Sequence, residues 1–325
     1  MPPPPLYEER FIEHDDPHFP SCHASTIVEL PGGDLLAAWY AGSREMARDV
    51  AIISARLPMG ARHWSRPQVI ADTLDRSEGN PVLFVGPYGT VFLVYVTMQG
   101  DGWDTCQVKV KTSCDGGHAW DAERILQPAW GWMTRNKPIV LPNGDIVLPM
   151  YNERDWHSFM LISEDGGQTW LPGGEIRNEY GVIQPTLALR RDGSVITFLR
   201  RGARDPEQTL WQSLSRDGGR TWSPPERADL PNPNAAVDVV RLANGHFVLA
   251  FNSSRTERRP LSLALSTNDG RDWPAIRDLE TASGEYSYPA ISQGADGRIH
   301  VTYTWRRQRI RHVTVNEAWI LAGGG

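Results

Sequence analysis

Arginines, carboxylic acids, tyrosines and a histidine lie at both ends of strand-like segments along this 325-residue chain. A guanidinium binds a carboxylate through two parallel hydrogen bonds, whereas a carboxyl, an imidazole or a phenol can transfer a proton or act as a nucleophile. The polar or reactive residues at segment starts are Cys22, His23, Ser25, Asn80, Arg135, Asn136, Lys137, Gln184, Asp238, Tyr286 and Tyr288. Those that follow the next segment are Tyr40, Arg44, Glu45, Arg48, Asp49, Trp103, Tyr151, Glu153, Arg154, His157, Arg200, Arg201, Asp205, Arg255, Arg258, Trp305 and Arg306. Because burying so many polar groups without partners is costly, this set predicts a site for a polar, anionic ligand.

A repeated unit positions these side chains. A strand, a short glycine turn and a second strand recur six times, as in STIVELPGGDLLAAWY and NKPIVLPNGDIVLPMY. The turn glycines are Gly33, Gly89, Gly144, Gly193, Gly245 and Gly297. Apolar, β-branched runs on both sides of such a turn predict six buried β-hairpins.

A second motif, Ser-x-Asp-x-Gly-x-x-Trp, follows the hairpins in phase with them. It occupies residues 113–120, 163–170 and 215–222, and residues 266–273 with Asn in place of Asp. This Asp-box is typical of a hairpin turn whose carboxylate caps backbone N–H groups and whose glycines adopt positive φ. We expect its tryptophan to pack between neighbouring sheets.

Six units of four strands predict an all-β fold, a six-bladed β-propeller that forms one domain over residues 1–325. We expect the N-terminal segment YEERFIEH to supply the outer strand of the last blade. In such a blade, the start of the innermost strand and the end of the second strand lie on one face, and the hairpin and Asp-box turns lie on the other. The polar set described above therefore converges on a single face.

With these motifs the sequence resembles the sialidase superfamily, and in particular the bacterial BNR-repeat, sialidase-like proteins, over essentially its whole length. The family's enzymes use three arginines to hold a substrate carboxylate, a tyrosine nucleophile activated by a glutamate, and an aspartate acid/base on the first blade. The resemblance thus implies an exo-glycosidase that hydrolyses a terminal acidic sugar. The segment EYSYPAI implies Tyr286 as the nucleophile, TFLR implies Arg200, and RRPLSLALS implies Arg258 as carboxylate ligands.

Three positions depart from the family pattern. FPSCHAST stands where the family has Arg-Ile-Pro, so His23 is the nearest polar replacement, and the first-blade loop AGSREMARDVAI leaves Glu45 as the nearest acid. Gln184 aligns with the activating glutamate and cannot accept a proton, so we expect His23 to act as the base. The catalytic candidates are Tyr286, Glu45 and His23. The candidate substrate-binding residues are Arg200, Arg258, Arg135, Arg44, Asn136, Lys137, Gln184, Asp238, Tyr288 and Arg306.

Two other functions remain open at this point. The arginines could neutralise a uronate while a tyrosine or histidine removes the adjacent proton, which would make the protein a polysaccharide lyase. A non-catalytic sugar-binding propeller would need the arginines and aromatic residues but no acid/base pair.

The resemblance implies a carbohydrate partner, and the composition argues against other classes of partner. A formal net charge of -6 argues against a nucleic-acid or anionic membrane surface. The segment MPPPPLYEERF lacks the pattern of an export signal, and three cysteines without metal-ligand spacing predict no disulfide framework, which together favour a cytoplasmic location. We expect no cofactor and no metal, and we interpret HDDPH at residues 14–18 as a solvated loop. The oligomeric state is left open.

Overall fold

The computed structural model describes residues 3–12 and 16–323. All strands within these ranges belong to six antiparallel sheets, and the sheets form the blades of a β-propeller. The predicted all-β, six-bladed fold is therefore confirmed. Glu13, His14 and Asp15, which fall in the predicted N-terminal strand or in the HDDPH loop, lie outside the described residues.

The first described strand, β1 (Tyr7–Ile12), forms the outer edge of the sixth blade. The first blade consists of β2 (Ser21–Glu29), β3 (Leu35–Gly42), β4 (Ala51–Leu57) and β5 (Gln68–Ala71). The second blade consists of β6 (Glu78–Val85), β7 (Val91–Met98), β8 (Cys106–Ser113) and β9 (Arg124–Gln127). The third blade consists of β10 (Trp132–Thr134), β11 (Ile139–Val140), β12 (Ile146–Asn152), β13 (His157–Ser163) and β14 (Leu171–Pro172).

The second half of the chain continues the same plan. The fourth blade consists of β15 (Val182–Leu189), β16 (Val195–Arg201), β17 (Thr209–Ser215) and β18 (Glu226–Pro231). The fifth blade consists of β19 (Asp238–Arg241), β20 (Phe247–Asn252), β21 (Leu261–Ser266) and β22 (Ala275–Glu280). The sixth blade consists of β23 (Tyr286–Gln293), β24 (Ile299–Trp305) and β25 (Arg309–Val315), with β1 paired to β25. Short 3-10 turns cover Pro87–Gly89 and Trp103–Thr105, and one short helix, α1 (Glu317–Leu321), follows β25.

The core lies between successive blades. Strands such as β3 and β7 are buried along their whole length, because both faces of an inner blade strand meet another sheet. One core cluster joins Val94 of the second blade to Leu148 of the third, and the box residue Trp170 packs in the same cluster. Among the described residues, no helix is long and apolar enough to cross a membrane. The three cysteines are free in the structure.

The Asp-box turns adopt the predicted geometry. In the box at 163–170, the Asp165 carboxylate accepts the backbone N–H groups of Gln168 and Thr169 at 3.0 and 2.9 Å, and Gly166 and Gly167 have positive φ. The other boxes repeat the pattern, with Asn268 taking the place of Asp in the last of them. These bonds satisfy donors that the tight turn would leave unpaired, and they explain why the motif recurs at the same place in four successive blades.

A β-bulge interrupts the innermost strand of four blades. The pairing register shifts between His23 and Thr26, Gly79 and Val82, Ile183 and Thr186, and Ser287 and Ala290. Within each bulge, one residue other than glycine has a φ of 43° to 54°, namely Ala24, Asn80, Gln184 and Tyr288. Such a conformation is unfavourable for an L-residue and tends to persist where tertiary structure enforces it, often near functional sites. The bulge breaks the simple alternation of side chains along the strand.

Candidate functional site

A cavity of about 260 Å³ opens where the innermost strands of the blades converge. All six blades contribute to its wall. The lining residues are Tyr40, Glu45, Asn80, Trp103, Met133, Tyr151, Glu153, Gln184, Arg200, Arg258, Tyr288 and Arg307. Three of the four bulge residues, Asn80, Gln184 and Tyr288, are among them, so the bulges direct side chains into this cavity.

Tyr288 lies at the centre of the polar network. Its hydroxyl oxygen accepts hydrogen bonds from Arg200 Nη1 at 2.9 Å and from Gln184 Nε2 at 3.4 Å. The Arg258 guanidinium carbon lies 5.5 Å from the centre of the tyrosine ring. Burial acts to raise the pKa of Tyr288, but the charges of Arg200 and Arg258 and the bond from Gln184 outweigh it, so the pKa is below the usual value. This phenol is easier to ionise than an ordinary tyrosine.

Three arginines surround the cavity and are held in place by other polar groups. Arg200 Nε donates to Asn234 Oδ1 at 2.7 Å. Arg258 Nη1 and Arg307 Nε both donate to the same oxygen of Glu285, each at 2.9 Å. Burial tends to raise the pKa of Glu285, yet the charges of Arg307 and Arg258 lower it overall. Glu285 therefore stays ionised and braces two guanidinium groups beside the cavity.

Two carboxyl groups line the cavity, and their surroundings differ. Glu45 is fully engaged, since Tyr40 donates to Oε1 at 2.9 Å and Arg307 Nη1 donates to Oε2 at 2.5 Å. The side chain of Glu153 makes no hydrogen bond or ion pair with any described residue. Burial is the main reason that its pKa is raised, with Arg200 acting in the opposite direction. The raised pKa of Glu153 favours its protonated form, which suits a proton donor.

A larger cavity of about 720 Å³ lies between the first and sixth blades, on the side of the hairpin turns that contain Gly33 and Asp296. Several of its charged side chains are paired with each other, as Arg10 is with Glu8 and Arg298 with Asp296. We assign the candidate site to the smaller cavity, because it combines phenols, carboxyl groups and arginines from five of the six blades. No cluster of three or more histidine, cysteine or acidic residues that could hold a metal ion occurs in the described part of the chain.

Residues 33–301 match the family model of the BNR repeat-like domain. The chain belongs to this family. The sialidase of Micromonospora viridifaciens is 26% identical to the chain, over 97% of this chain and 55% of that protein. The chain therefore spans only about half the length of this curated relative.

Solved sialidase structures share the fold of this BNR repeat-like chain. The NanB sialidase of Streptococcus pneumoniae superposes with a TM-score of 0.80 and 14% identity, over 93% of this chain and 69% of that one. An intramolecular trans-sialidase from Ruminococcus gnavus gives a TM-score of 0.77 and 14% identity, over 92% of this chain and 95% of that one. At this level of identity the likeness establishes the propeller fold.

The structure places Tyr288, Gln184, Arg200, Arg258 and Glu45 of the sequence-predicted site around the cavity of the BNR repeat-like domain. It does not bring Tyr286 there. Tyr286 is buried in the core shared by the fifth and sixth blades, and its hydroxyl lies 3.4 Å from the carbonyl oxygen of Ser283. The reason is the bulge after Ser287, which turns Tyr288 toward the cavity while Tyr286 stays in the core.

Two predicted arginines also lie away from the cavity. Arg306 stacks on Trp305 at 4.5 Å and donates to Ser283 O at 2.9 Å. Both Arg306 and Arg307 have positive φ, and this turn presents Arg307 to the cavity instead of its neighbour. Arg44 is exposed and lines a separate cavity of about 440 Å³ with Arg48.

His23 is not among the residues that line the cavity. Its ring packs 4.1 Å from the ring of Tyr288, and its Nδ1 atom lies 2.9 Å from Thr304 Oγ1. Burial, followed by the charge of Arg307, lowers its pKa well below the usual value. An imidazole that resists protonation to this extent is a weak base, so the expectation that His23 activates the tyrosine is not supported by its surroundings.

The remaining four predicted residues form an axial plug beside the cavity, which we define as Arg135, Asn136, Lys137 and Asp238. Arg135 donates to the carbonyl oxygens of Tyr288 and Pro289 at 2.6 and 3.0 Å, and Asn136 donates to that of Pro185 at 2.9 Å. Lys137 Nζ lies 2.8 Å from Asp238. These side chains bind protein groups from other blades, so their contacts are structural.

The sequence reasoning missed Arg307, Met133 and Glu285, and it listed Tyr286 as the nucleophile and Tyr288 among the substrate-binding residues. One sequence signal could have identified the tyrosine. Asn80, Gln184 and Tyr288 each precede a proline at the same point of the repeat. The X-Pro step coincides with the bulge in these three blades.

Proposed function

We propose that this protein hydrolyses glycosides of a terminal acidic sugar, with Tyr288 as the nucleophile. The proposal depends on one observation: the Tyr288 oxygen lies 2.9 Å from Arg200 in a cavity that Arg258 and Arg307 also line. Tyrosine nucleophiles are the recognised exception among glycosidases, which otherwise use two carboxyl groups. The relatives named as sialidases support the same reaction class.

In the proposed first step, the ionised oxygen of Tyr288 attacks the anomeric carbon and the bond to the leaving oxygen breaks. Arg200, Arg258 and Arg307 bind the sugar carboxylate and offset the negative charge in the cavity. Glu153 gives its proton to the leaving oxygen, so the alcohol departs neutral. In the second step, water gives a proton to the Glu153 carboxylate, attacks the anomeric carbon and releases Tyr288.

The test uses two tyrosines of one strand. Sialic acid and uronic acid aryl glycosides, together with uronate oligosaccharides, are assayed for released sugar and for unsaturated product by ultraviolet absorbance. Tyr288→Phe should abolish release of sugar, whereas the matched control Tyr286→Phe, which alters a phenol in the core, should keep it. Equal turnover by Tyr288→Phe and the unmodified protein would refute the nucleophile assignment.

Glu153 and Glu45 can be separated with leaving groups of different acidity. A proton donor matters most when the leaving alcohol is weakly acidic. Glu153→Gln should therefore slow an alkyl or sugar leaving group far more than an activated aryl one. If Glu45→Gln shows that dependence and Glu153→Gln does not, the proton comes from the first blade.

A second reaction is favoured by the amide of Gln184. Because Gln184 donates to Tyr288 and no carboxylate hydrogen-bonds to that phenol among the described residues, an ionised Tyr288 could instead remove the proton next to a uronate held by the arginines. This elimination breaks the glycosidic bond and leaves an unsaturated uronate. The absorbance of that product in the panel above would assign the lyase reaction.

A further inference from the structure

Hydrogen bonds join Tyr288, Arg200 and Gln184 to one another. Arg200 Nη1 donates both to the Tyr288 oxygen at 2.9 Å and to Gln184 Oε1 at 3.0 Å. Gln184 Nε2 in turn lies 3.4 Å from the Tyr288 oxygen and 3.3 Å from the Tyr151 oxygen. The three side chains come from the fourth and sixth blades and are all buried.

The orientation of the Gln184 amide follows from these contacts. A guanidinium can only donate, so the atom of Gln184 that faces Arg200 must be the carbonyl oxygen. The amide nitrogen must then point to the tyrosines. Asn136 donates to the carbonyl oxygens of Gln184 and Pro185 at 3.3 and 2.9 Å, which fixes the backbone below this side chain.

The Tyr288 oxygen accepts both of its hydrogen bonds, and no described residue accepts the proton of this phenol. We propose that Gln184 and Arg200 stabilise the phenolate form of Tyr288, so that the tyrosine is activated by donors rather than by a neighbouring base. Gln184 is a positioning residue that also stabilises the negative oxygen. The depressed pKa of Tyr288 agrees with this arrangement.

The same contacts explain the neighbouring tyrosine. The Tyr151 oxygen accepts from both Asn80, at 3.1 Å, and Gln184. Burial and the charge of Glu153 raise the pKa of Tyr151 well above the usual value, so this phenol keeps its proton. The pKa values of two tyrosines that share one amide donor thus shift in opposite directions, because only Tyr288 also receives the charged bond from Arg200.

A carboxylate in place of the amide should work against the phenolate. Gln184→Glu puts a negative charge beside the Tyr288 oxygen, and a like charge at this distance disfavours ionisation. The uncharged Gln184→Met removes the donor without adding charge and should have a smaller effect of the same sign. A site that lacked its base would respond in the opposite way, since Gln184→Glu would then increase turnover.

The test needs no substrate. The near-ultraviolet phenolate absorption of the unmodified protein is titrated from about pH 5 to about pH 10, and the titration of Tyr288→Phe is subtracted. Tyr288 should titrate below the ordinary value of about 10, and Gln184→Glu should move this titration upward. Arg200→Met serves as a second variant if Gln184→Glu does not fold, and it should also shift the titration upward.

A Tyr288 titration at or above about pH 10, or one that Gln184→Glu leaves in place, would overturn the inference. The catalytic meaning of the phenolate rests on the proposed function, but its ionisation does not. A protein that titrates as expected and cleaves no glycoside would refute the function alone. When a substrate is turned over, the pH at which the rate falls on the acid side should shift among the variants in the same order as the Tyr288 titration.

Discussion

The cavity and the axial plug beside it are built from the same residue types, yet their contacts differ. In the plug, Lys137 Nζ donates to both oxygens of Asp238 and to Val239 O at 2.8 to 2.9 Å, and Asp238 also accepts from Thr186 and from the backbone of Ile291. In the cavity, Arg200, Arg258 and Arg307 line open space. Glu153 faces that space without a partner among the described residues.

The difference shows how buried charge is used in this propeller. Charges that meet groups of other blades join the blades together, as Lys137 and Asp238 join the third blade to the fifth. Charges that meet an open cavity are available to a ligand. The residue type does not tell which charges are paired across blades and which face the cavity. In both places, a buried charge without a partner is costly.

The largest effect is expected from breaking the plug. Lys137→Met leaves the nearly inaccessible Asp238 carboxylate without its cation, which should lower the free energy of unfolding by about 3 to 5 kcal/mol. Urea denaturation measures the change. Replacing both partners, as in Lys137→Met with Asp238→Asn, should recover much of it, and an unchanged midpoint in the single variant would contradict the structural role.

A smaller effect, on activity instead of stability, is expected from the cavity. Arg258→Met removes a charged hydrogen-bond donor for the substrate and should lower kcat/KM by about 10- to 100-fold, equivalent to about 1.5 to 3 kcal/mol. The free energy of unfolding should change much less than in Lys137→Met. If the variant lost stability but kept its kcat/KM, Arg258 would have a structural role like that of the plug residues.

Acid should lower the free energy of unfolding through a pair of histidines in the sixth blade. His300 Nδ1 lies 3.1 Å from His312 Nε2 in the sixth blade, and burial is the main cause that lowers the pKa of His300 to about 4. Because the unfolded chain binds this proton at about pH 6.5, the free energy of unfolding should be constant above that pH and fall between about 6.5 and about 4.

By about pH 5 the loss from His300 should reach about 2 kcal/mol. Urea midpoints at about pH 7 and about pH 5 measure it. His300→Gln, which cannot take up a proton, should show a weaker pH dependence than the unmodified protein. An identical dependence in the two proteins would assign acid sensitivity to other groups.

The smallest effect is expected from Tyr286→Phe. Its hydroxyl makes two long contacts, donating to Ser283 O at 3.4 Å and accepting from Arg306 Nη2 at 3.5 Å, so the free energy of unfolding should fall by less than about 1 kcal/mol. Turnover should stay close to that of the unmodified protein. If the variant lost most of its turnover but kept normal stability, the nucleophile would be Tyr286 and not Tyr288.

The fold could be predicted because its signals are local. Each hairpin and Asp-box is specified by residues within a few positions of each other, such as Asp165 and Thr169, and six repetitions reinforce one interpretation. Part of the site followed as well. Arg200, Arg258 and Glu45 lie at strand ends, where the topology alone brings side chains to one face.

Other members of the site could not be predicted from alternation. Tyr286 and Tyr288 have the same parity in the strand, and only the bulge separates the core position from the cavity position. Arg306 and Arg307 are adjacent, and the conformation of their turn decides which one enters the site. The prediction that Arg135, Asn136, Lys137 and Asp238 bind substrate did not anticipate their hydrogen bonds to groups of other blades, which no local pattern shows.

The sequence by itself determined the six-bladed propeller, the capped turns and the face on which polar side chains converge, because these depend on short-range patterns. The tertiary structure decided which polar groups are paired and which face the cavity. The bond between Arg200 and Tyr288 joins residues 88 positions apart, and it forms only when the ring of blades closes. Such long-range contacts set the ionisation of Tyr288, and no local pattern contains them.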